Sequence, residues 1–250
     1  AEEVRKPGPL GVRDPGVVDR SFGVNILVRK DRAFDAPKAS PRDLRLSLSQ
    51  EKGRWRELGS STLEDHLRRA LIGERSLRPA QAQTLEHLSR GRSTLAIMAT
   101  GRGKSLTFHV HAARTALKER KASIFVYPLR ALVADQAYHL AQTYGTFGLD
   151  VQVLTGETDA ADRSHIYEGI ERGEVDVILT TPEFLSIHAQ RFAGTGKIGF
   201  VVVDEAHHIG QSKAGNRPAY VQLKEALQVL GDPLVLAVTA TAGDAEARLI

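Results

Sequence analysis

The stretch Met98-Ala99-Thr100-Gly101-Arg102-Gly103-Lys104-Ser105 follows the apolar run Thr94-Leu95-Ala96-Ile97 and opens an apolar-periodic segment. Strand, glycine-bearing loop and helix in that order form the context of a phosphate-binding loop. Gly101 and Gly103 allow the backbone to curl until its N–H groups point at phosphate oxygens. A helix starting near Lys104 adds the positive end of its dipole. Thr100, Gly101, Arg102 and Gly103 then line the cradle, Lys104 reaches the β- and γ-phosphates of a nucleotide, and the Ser105 hydroxyl holds Mg²⁺. The full pattern is GxxxxGK[ST], and Met98 stands where its first glycine belongs. The loop therefore needs a second site to support it.

That second site lies about a hundred residues on. Phe200-Val201-Val202-Val203 is short, apolar and β-branched, as a buried parallel strand should be, and it ends in Asp204-Glu205-Ala206-His207. Carboxylates at the C-terminal end of such a strand sit where ligands bind in open α/β sheets. Asp204 is expected to hold Mg²⁺, usually through water, and Glu205 to polarise the attacking water. Phosphoryl transfer asks mainly for positioning and charge neutralisation, so Lys104, Asp204 and Glu205 suffice as its catalytic candidates.

Composition fits this reading. The chain has 250 residues, 42% hydrophobic and 26% charged, as in an ordinary globular protein. It holds no apolar run of about 18 residues, so no membrane span is expected, and its first residues lack the apolar core of a signal peptide. The absence of cysteine excludes disulfides and thiolate metal sites. A cytoplasmic setting is expected, nucleoid-associated in a bacterium. Residues 1–60 carry 13 Lys+Arg against 9 Asp+Glu, whereas residues 61–250 carry 21 of each. The net charge of +4 thus lies wholly in the N-terminal segment. Such a segment either binds a nucleic-acid backbone by counterion release or is simply solvated.

Residues 1–60 read as a basic extension or the tail of a preceding domain, with short strands expected at Gly23 to Val28 and Leu44 to Leu48. Residues 61–250 read as one α/β domain. Helices are expected over 62–72 and 79–90. Strands over 94–98, 122–127, 150–154, 175–180, 198–203 and 234–239 then alternate with helices over 104–118, 129–143, 160–172, 182–191 and 217–230. Alternation of this kind means a parallel sheet flanked by helices.

With these motifs in order, the chain resembles the first RecA-like motor lobe of the superfamily-two DEAD/DEAH-box helicases, most closely the RecQ branch. The likeness runs from about residue 63 to 245. Met98 to Ser105 is similar to the RecQ phosphate loop, which also begins with methionine. Leu77-Arg78-Pro79-Ala80-Gln81 resembles the motif in which an arginine packs on adenine and a glutamine bonds its edge, which implies those roles for Arg78 and Gln81. RecQ proteins usually place an aromatic four residues before that arginine, where this chain has Glu74. Tyr127 to Gln136, Thr155-Gly156 and Thr180-Thr181-Pro182-Glu183 resemble the motifs that touch the DNA backbone, implying nucleic-acid contacts at Arg130, Gly156 and Thr181. Thr239-Ala240-Thr241 resembles the motif coupling ATP state to DNA, with His207 and Gln211 between it and the acidic pair. Residues 208–220 resemble the aromatic-rich RecQ loop in length and frame. Ile209, Gln211, Arg217, Pro218 and Tyr220 match, and Arg217 is a further nucleic-acid candidate. Ser212 and Asn216 replace the family's tryptophan and phenylalanine, so base stacking worth ~1–3 kcal/mol per base is lost there.

The resemblance implies an ATP- and Mg²⁺-dependent DNA helicase or translocase, acting on DNA with a single-stranded region in repair or recombination. An RNA helicase lobe of the DEAD/DEAH-box type is the alternative, as is a nucleotide-gated nucleic-acid clamp fused to a repair nuclease. Motors of this superfamily cleave ATP between two lobes, and the second lobe supplies arginine fingers worth about 10³–10⁵ in rate. No such lobe fits within 250 residues. The isolated chain is therefore expected to be a fragment that turns over very slowly.

Overall fold

A computed structural model describes residues 41–99, 103–206 and 219–240. Six strands form one sheet: β1 (Thr94–Ile97), β2 (Ala122–Val126), β3 (Val151–Leu154), β4 (Val177–Thr180), β5 (Ile198–Val203) and β6 (Leu234–Thr239). Every pairing is parallel, and the order across the sheet is β1-β6-β5-β2-β4-β3. The central strands β2 and β4 are buried along their whole length, which explains their largely apolar sequence, with Ser123 and Thr180 as the buried polar exceptions.

Side chains alternate across the sheet and build two cores. Phe125, Leu179, Phe200, Val202, Leu236 and Val238 face one side. There they meet α2 (Ser60–Ile72), α3 (Pro79–Ser89), α4 (Lys104–Arg114) and α5 (Arg130–Gly145). Ile124, Val126, Ile178, Val201, Val203 and Ala237 face the other. There they meet α6 (Ala160–Arg172), α7 (Pro182–Gly194) and α8 (Ala219–Val229). The expected alternation holds throughout, except that α4 closes in a π-helical turn, Thr115–Glu119, instead of running on as a regular helix.

The strand expected at Leu44 to Leu48 is corrected to helix: Pro41–Glu57 forms α1. The leucine alternation there is too short to set the period. Over the longer span Leu48, Lys52 and Trp55 recur at i, i+4 and i+7, which is helical spacing. Trp55 packs on Phe147, ring centroids 4.7 Å apart, and Lys52 Nζ lies 2.6 Å from Asp176 Oδ2 with both side chains buried. Lys118 Nζ donates to the carbonyls of Arg56, at 2.8 Å, and of Leu58, closing the end of α1. Gly148, at φ +68°, permits this close seating, because a Cβ there would stand 2.3 Å from the Leu48 carbonyl oxygen. The strand expected at Gly23 to Val28 lies outside the described residues. Among the described residues no helix is long and apolar enough to cross a membrane.

Two outcomes follow. Lys52→Met strands a buried Asp176 carboxylate and should cost about 3–5 kcal/mol in urea unfolding. Arg54→Met, at an exposed pair with Glu51, should stay within about 0.5 kcal/mol; equal midpoints for the two variants would remove Lys52 from the anchor. The second concerns His111, which stacks edge-on against Phe200 and is buried. Burial, aided by Arg114, lowers its pKa from 6.5 to about 4. Between those values the unfolded chain binds the proton and the folded one does not. Stability from this group is therefore complete above about pH 6.5 and lost as pH falls toward 4. His111→Phe should flatten the acid limb of a plot of unfolding free energy against pH.

Candidate nucleotide site and nucleic-acid face

Because all strands are parallel, every C-terminal end opens on one edge, the usual ligand edge of such sheets. The strand order divides that edge. The phosphate loop after β1, Thr239 at the end of β6 and the acidic pair after β5 lie side by side. The ends of β2, β4 and β3, carrying Arg130, Thr181 and Gly156, form the other half.

In the first half, the Met98 N–H donates to the Thr239 carbonyl at 2.9 Å, so the loop leaves the sheet pinned to β6. Thr239 itself is fully buried. Gly103 then adopts the left-handed conformation, φ 72° and ψ 37°, immediately before α4. The left-handed backbone favours glycine there, and a Cβ, which would stand 2.8 Å from Gln81 Nε2, would also displace that amide. Gln81 is buried and held at both ends. Its Nε2 donates to the Gly103 carbonyl at 2.9 Å, and its Oε1 accepts from the Arg78 N–H at 2.8 Å. The adenine-reading role implied for Gln81 thus meets an amide already engaged as a brace for the phosphate loop, while the Arg78 side chain is exposed.

Beyond β5, the Asp204 N–H donates to the Val126 carbonyl at 3.0 Å and continues the ladder for one residue. Glu205 then turns to φ +49°, a left-handed conformation uncommon for a residue with a side chain. Its N–H donates to Asp204 Oδ1 at 2.9 Å, which supports the turn. Strain of this kind concentrates at functional positions, and here it swings the Glu205 carboxylate onto Lys104. Lys104 Nζ pairs with Glu205 Oε1 and lies 3.7 Å from Asp204 Oδ1. All three side chains are at most a quarter exposed. Burial raises the Asp204 pKa above 3.8, and Lys104 opposes that shift. The hydroxyl of Tyr127, at the end of β2, is also pushed up, by burial and then by the Asp204 charge, so it stays a neutral phenol.

These residues fit a Mg-nucleotide. Ser105 follows Lys104 in the first turn of α4, and Asp204 approaches Lys104 from the end of β5. A hydroxyl and a carboxylate are hard oxygen donors that leave room for water and phosphate ligands, the set Mg²⁺ prefers. Among the described residues no group of three or more His, Cys, Asp or Glu is placed to hold a metal ion.

In the second half, Arg130 opens α5 with its side chain exposed and lies 3.0 Å from Glu157 Oε1. Its Nη2 stands 3.6 Å from where a Cβ of Gly156 would be, so Arg130 and Gly156 come together as expected of one surface. Thr181 differs. It is buried, and its hydroxyl accepts from the Phe184 N–H at 3.4 Å as the N-cap of α7, so its side chain does not present to solvent. Glu157 is the residue the motif reading missed: it belongs to no phosphate-contact pattern, and only the fold brings it to Arg130, 27 positions away in sequence. Thr100, Gly101, Arg102, His207, Gln211, Arg217 and Thr241 lie outside the described residues.

The fold and this edge define a RecA-like, phosphate-loop nucleotide-binding lobe. Residues 78–249 match the DEAD/DEAH box helicase family, and the chain belongs to it. It is 28% identical over 173 residues to ATP-dependent helicase SGS1 of Saccharomyces cerevisiae, covering 67% of this chain and 12% of that protein. It is also 28% identical over 177 residues to ATP-dependent DNA helicase RecQ of Pasteurella multocida, covering 70% of this chain and 27% of that one. The chain therefore spans only a minor part of these relatives. Among solved structures, the DUF1998 helicase MrfA matches with a TM-score of 0.60 at 22% identity, covering 74% of this chain and 30% of MrfA. MrfA bound to DNA and AMPPNP matches with 0.59 at 18% identity, covering 71% and 26%.

Lys104→Ala should abolish nucleotide binding, read with a fluorescent ATP analogue. Glu205→Gln should keep that binding or tighten it, since Lys104 loses a competing partner. Loss of binding in Glu205→Gln would mean that the Lys104–Glu205 pair builds the site instead of guarding it.

Proposed function

We propose that this chain is the ATP-binding lobe of a RecQ-like DNA helicase or translocase, which couples Mg-ATP hydrolysis to movement on DNA with a single-stranded region. The observation that carries the reading is Lys104 held between Asp204 and Glu205 on the same sheet edge as Arg130 and Gly156. One nucleotide-binding half and one phosphate-contacting half meet there across β5 and β2. Relatives named as ATP-dependent DNA helicases and the solved complex of MrfA with DNA and AMPPNP support ATP and DNA as the ligands. A use in repair or recombination rests on the RecQ likeness alone.

The chemistry follows from the pair at Lys104. An arriving triphosphate offers Lys104 two or three oxygens in place of one carboxylate, so the ammonium moves to the β- and γ-phosphates and Glu205 is released. Mg²⁺ held by Ser105 and Asp204 would neutralise phosphate charge. The freed Glu205 carboxylate then orients water in line with the γ-phosphorus and takes its proton as the new P–O bond forms and the bond to the β-phosphate oxygen breaks. The N-terminal end of α4 and Lys104 stabilise the charge that develops. Gln81 senses occupancy through the Gly103 carbonyl it holds, since the loop cannot shift without disturbing that bond.

Phosphate release from ATP, measured with no nucleic acid, with single-stranded DNA and with single-stranded RNA, tests this. Stimulation by DNA over RNA is expected in protein carrying whatever second lobe completes the site. RNA-selective stimulation would make the chain an RNA helicase lobe, and binding without turnover in any arm would make it a clamp.

A further inference from the structure

The loop after β3 is built by its own hydrogen bonds. The Thr155 N–H donates to Thr158 Oγ1 at 3.1 Å, the Glu157 N–H to Thr155 Oγ1 at 3.4 Å, and the Thr158 N–H to the Thr155 carbonyl at 3.1 Å. This tight turn fixes the backbone of Glu157 independently of Arg130. From it the carboxylate reaches the Arg130 guanidinium, with Oε1 3.0 Å from Nη1. The two side chains are 75% and 63% exposed, so the pair supports no core. Beside it Gly156 presents bare backbone toward Arg130, whose Nη2 stands 3.6 Å from where a Cβ of that glycine would be.

A carboxylate and a phosphate engage a guanidinium through the same N–H fork. We propose that Glu157 is a built-in competitor for the backbone phosphate that Arg130 would otherwise hold, and that it sets the affinity of this lobe for a single strand. The inference rests on the reading of this edge as the nucleic-acid face and adds to it the residue that weakens the grip. While the pair is closed, Glu157 withholds the Nη1 side of the guanidinium fork and screens its charge from phosphate, and the pair reforms when the strand leaves. An exposed ion pair is weak, so it alters an equilibrium by about two- to five-fold without blocking it. For a protein that must release and rebind its strand, a modest competitor favours exchange over tight holding. The arrangement parallels Lys104 and Glu205, where an acid of the chain also occupies the cation meant for phosphate.

Equilibrium binding of a labelled oligothymidylate, followed by anisotropy at several salt concentrations, tests this on four proteins: the unaltered chain, Glu157→Gln, Arg130→Gln and the double variant. Glu157→Gln should tighten binding about two- to five-fold. It should also steepen the slope of log K against log[salt] by up to about 0.7, as one more phosphate is neutralised. In the Arg130→Gln background the same change should do almost nothing, because the competitor then has nothing to compete for. Equal tightening in both backgrounds would mean that Glu157 merely repels the strand, and no tightening in either would mean that it is inert; each overturns the proposal while leaving the interface intact. If Arg130→Gln changes neither affinity nor salt slope, or if none of the four proteins binds, the nucleic-acid face itself is wrong and the proposal falls with it.

Discussion

All six strands run the same way, and that constraint decides where chemistry can occur. A parallel ladder sends every strand-to-helix turn to one edge, and right-handed crossovers place the following helices over the two faces. The turn after β1 is thereby brought within reach of the turn after β5, although Lys104 and Glu205 are 101 positions apart. Once one ammonium stands against two carboxylates, the rest of the nucleotide half is arranged around that imbalance. Asp204 sits in a setting that penalises its charge, Glu205 takes a strained backbone to reach Lys104, and Gln81 holds the Gly103 carbonyl just before α4.

Much of this was legible in the sequence because the residues concerned follow local rules. The β-branched runs before Asp204 and before Thr180 can only be buried strands, and glycine before Lys104 is demanded by a left-handed turn. What escaped depends on partners far along the chain. Leu44 to Leu48 alternates like a strand, yet Lys52 and Trp55 pull it into a helix, because the groove beside Gly148 and the carboxylate of Asp176 reward helical spacing. Thr181 carries the sequence of a loop-tip hydroxyl, but Pro182 starts a helix at once, and an N-cap turns its oxygen inward. Glu157 has no motif at all; its role exists only once β3 is laid two strands from β2. The expected coupling residues His207, Gln211 and Thr241, and the nucleic-acid candidate Arg217, fall outside the described residues.

Both halves of the edge share a logic that sequence patterns alone do not reveal. In each, a cation suited to phosphate is already held by an acid of the chain: Lys104 by Glu205, and Arg130 by Glu157. Ligand entry is then an exchange of partners instead of the filling of a vacant positive site. The difference between them is exposure. The Lys104 pair is sheltered, whereas the Arg130 pair is open to water and yields easily.

The seat of α1 has a mechanical consequence. Its buried Lys52 grips Asp176, whose backbone is tied in turn to Asp150 at the head of β3 and to Ser123 in β2. A pull along α1 therefore enters the sheet at the start of three neighbouring strands at once. Those same three strands, ending at Val126, Leu154 and Thr180, lead to the half of the edge that carries Arg130, and β5 stands between them and the Lys104 half.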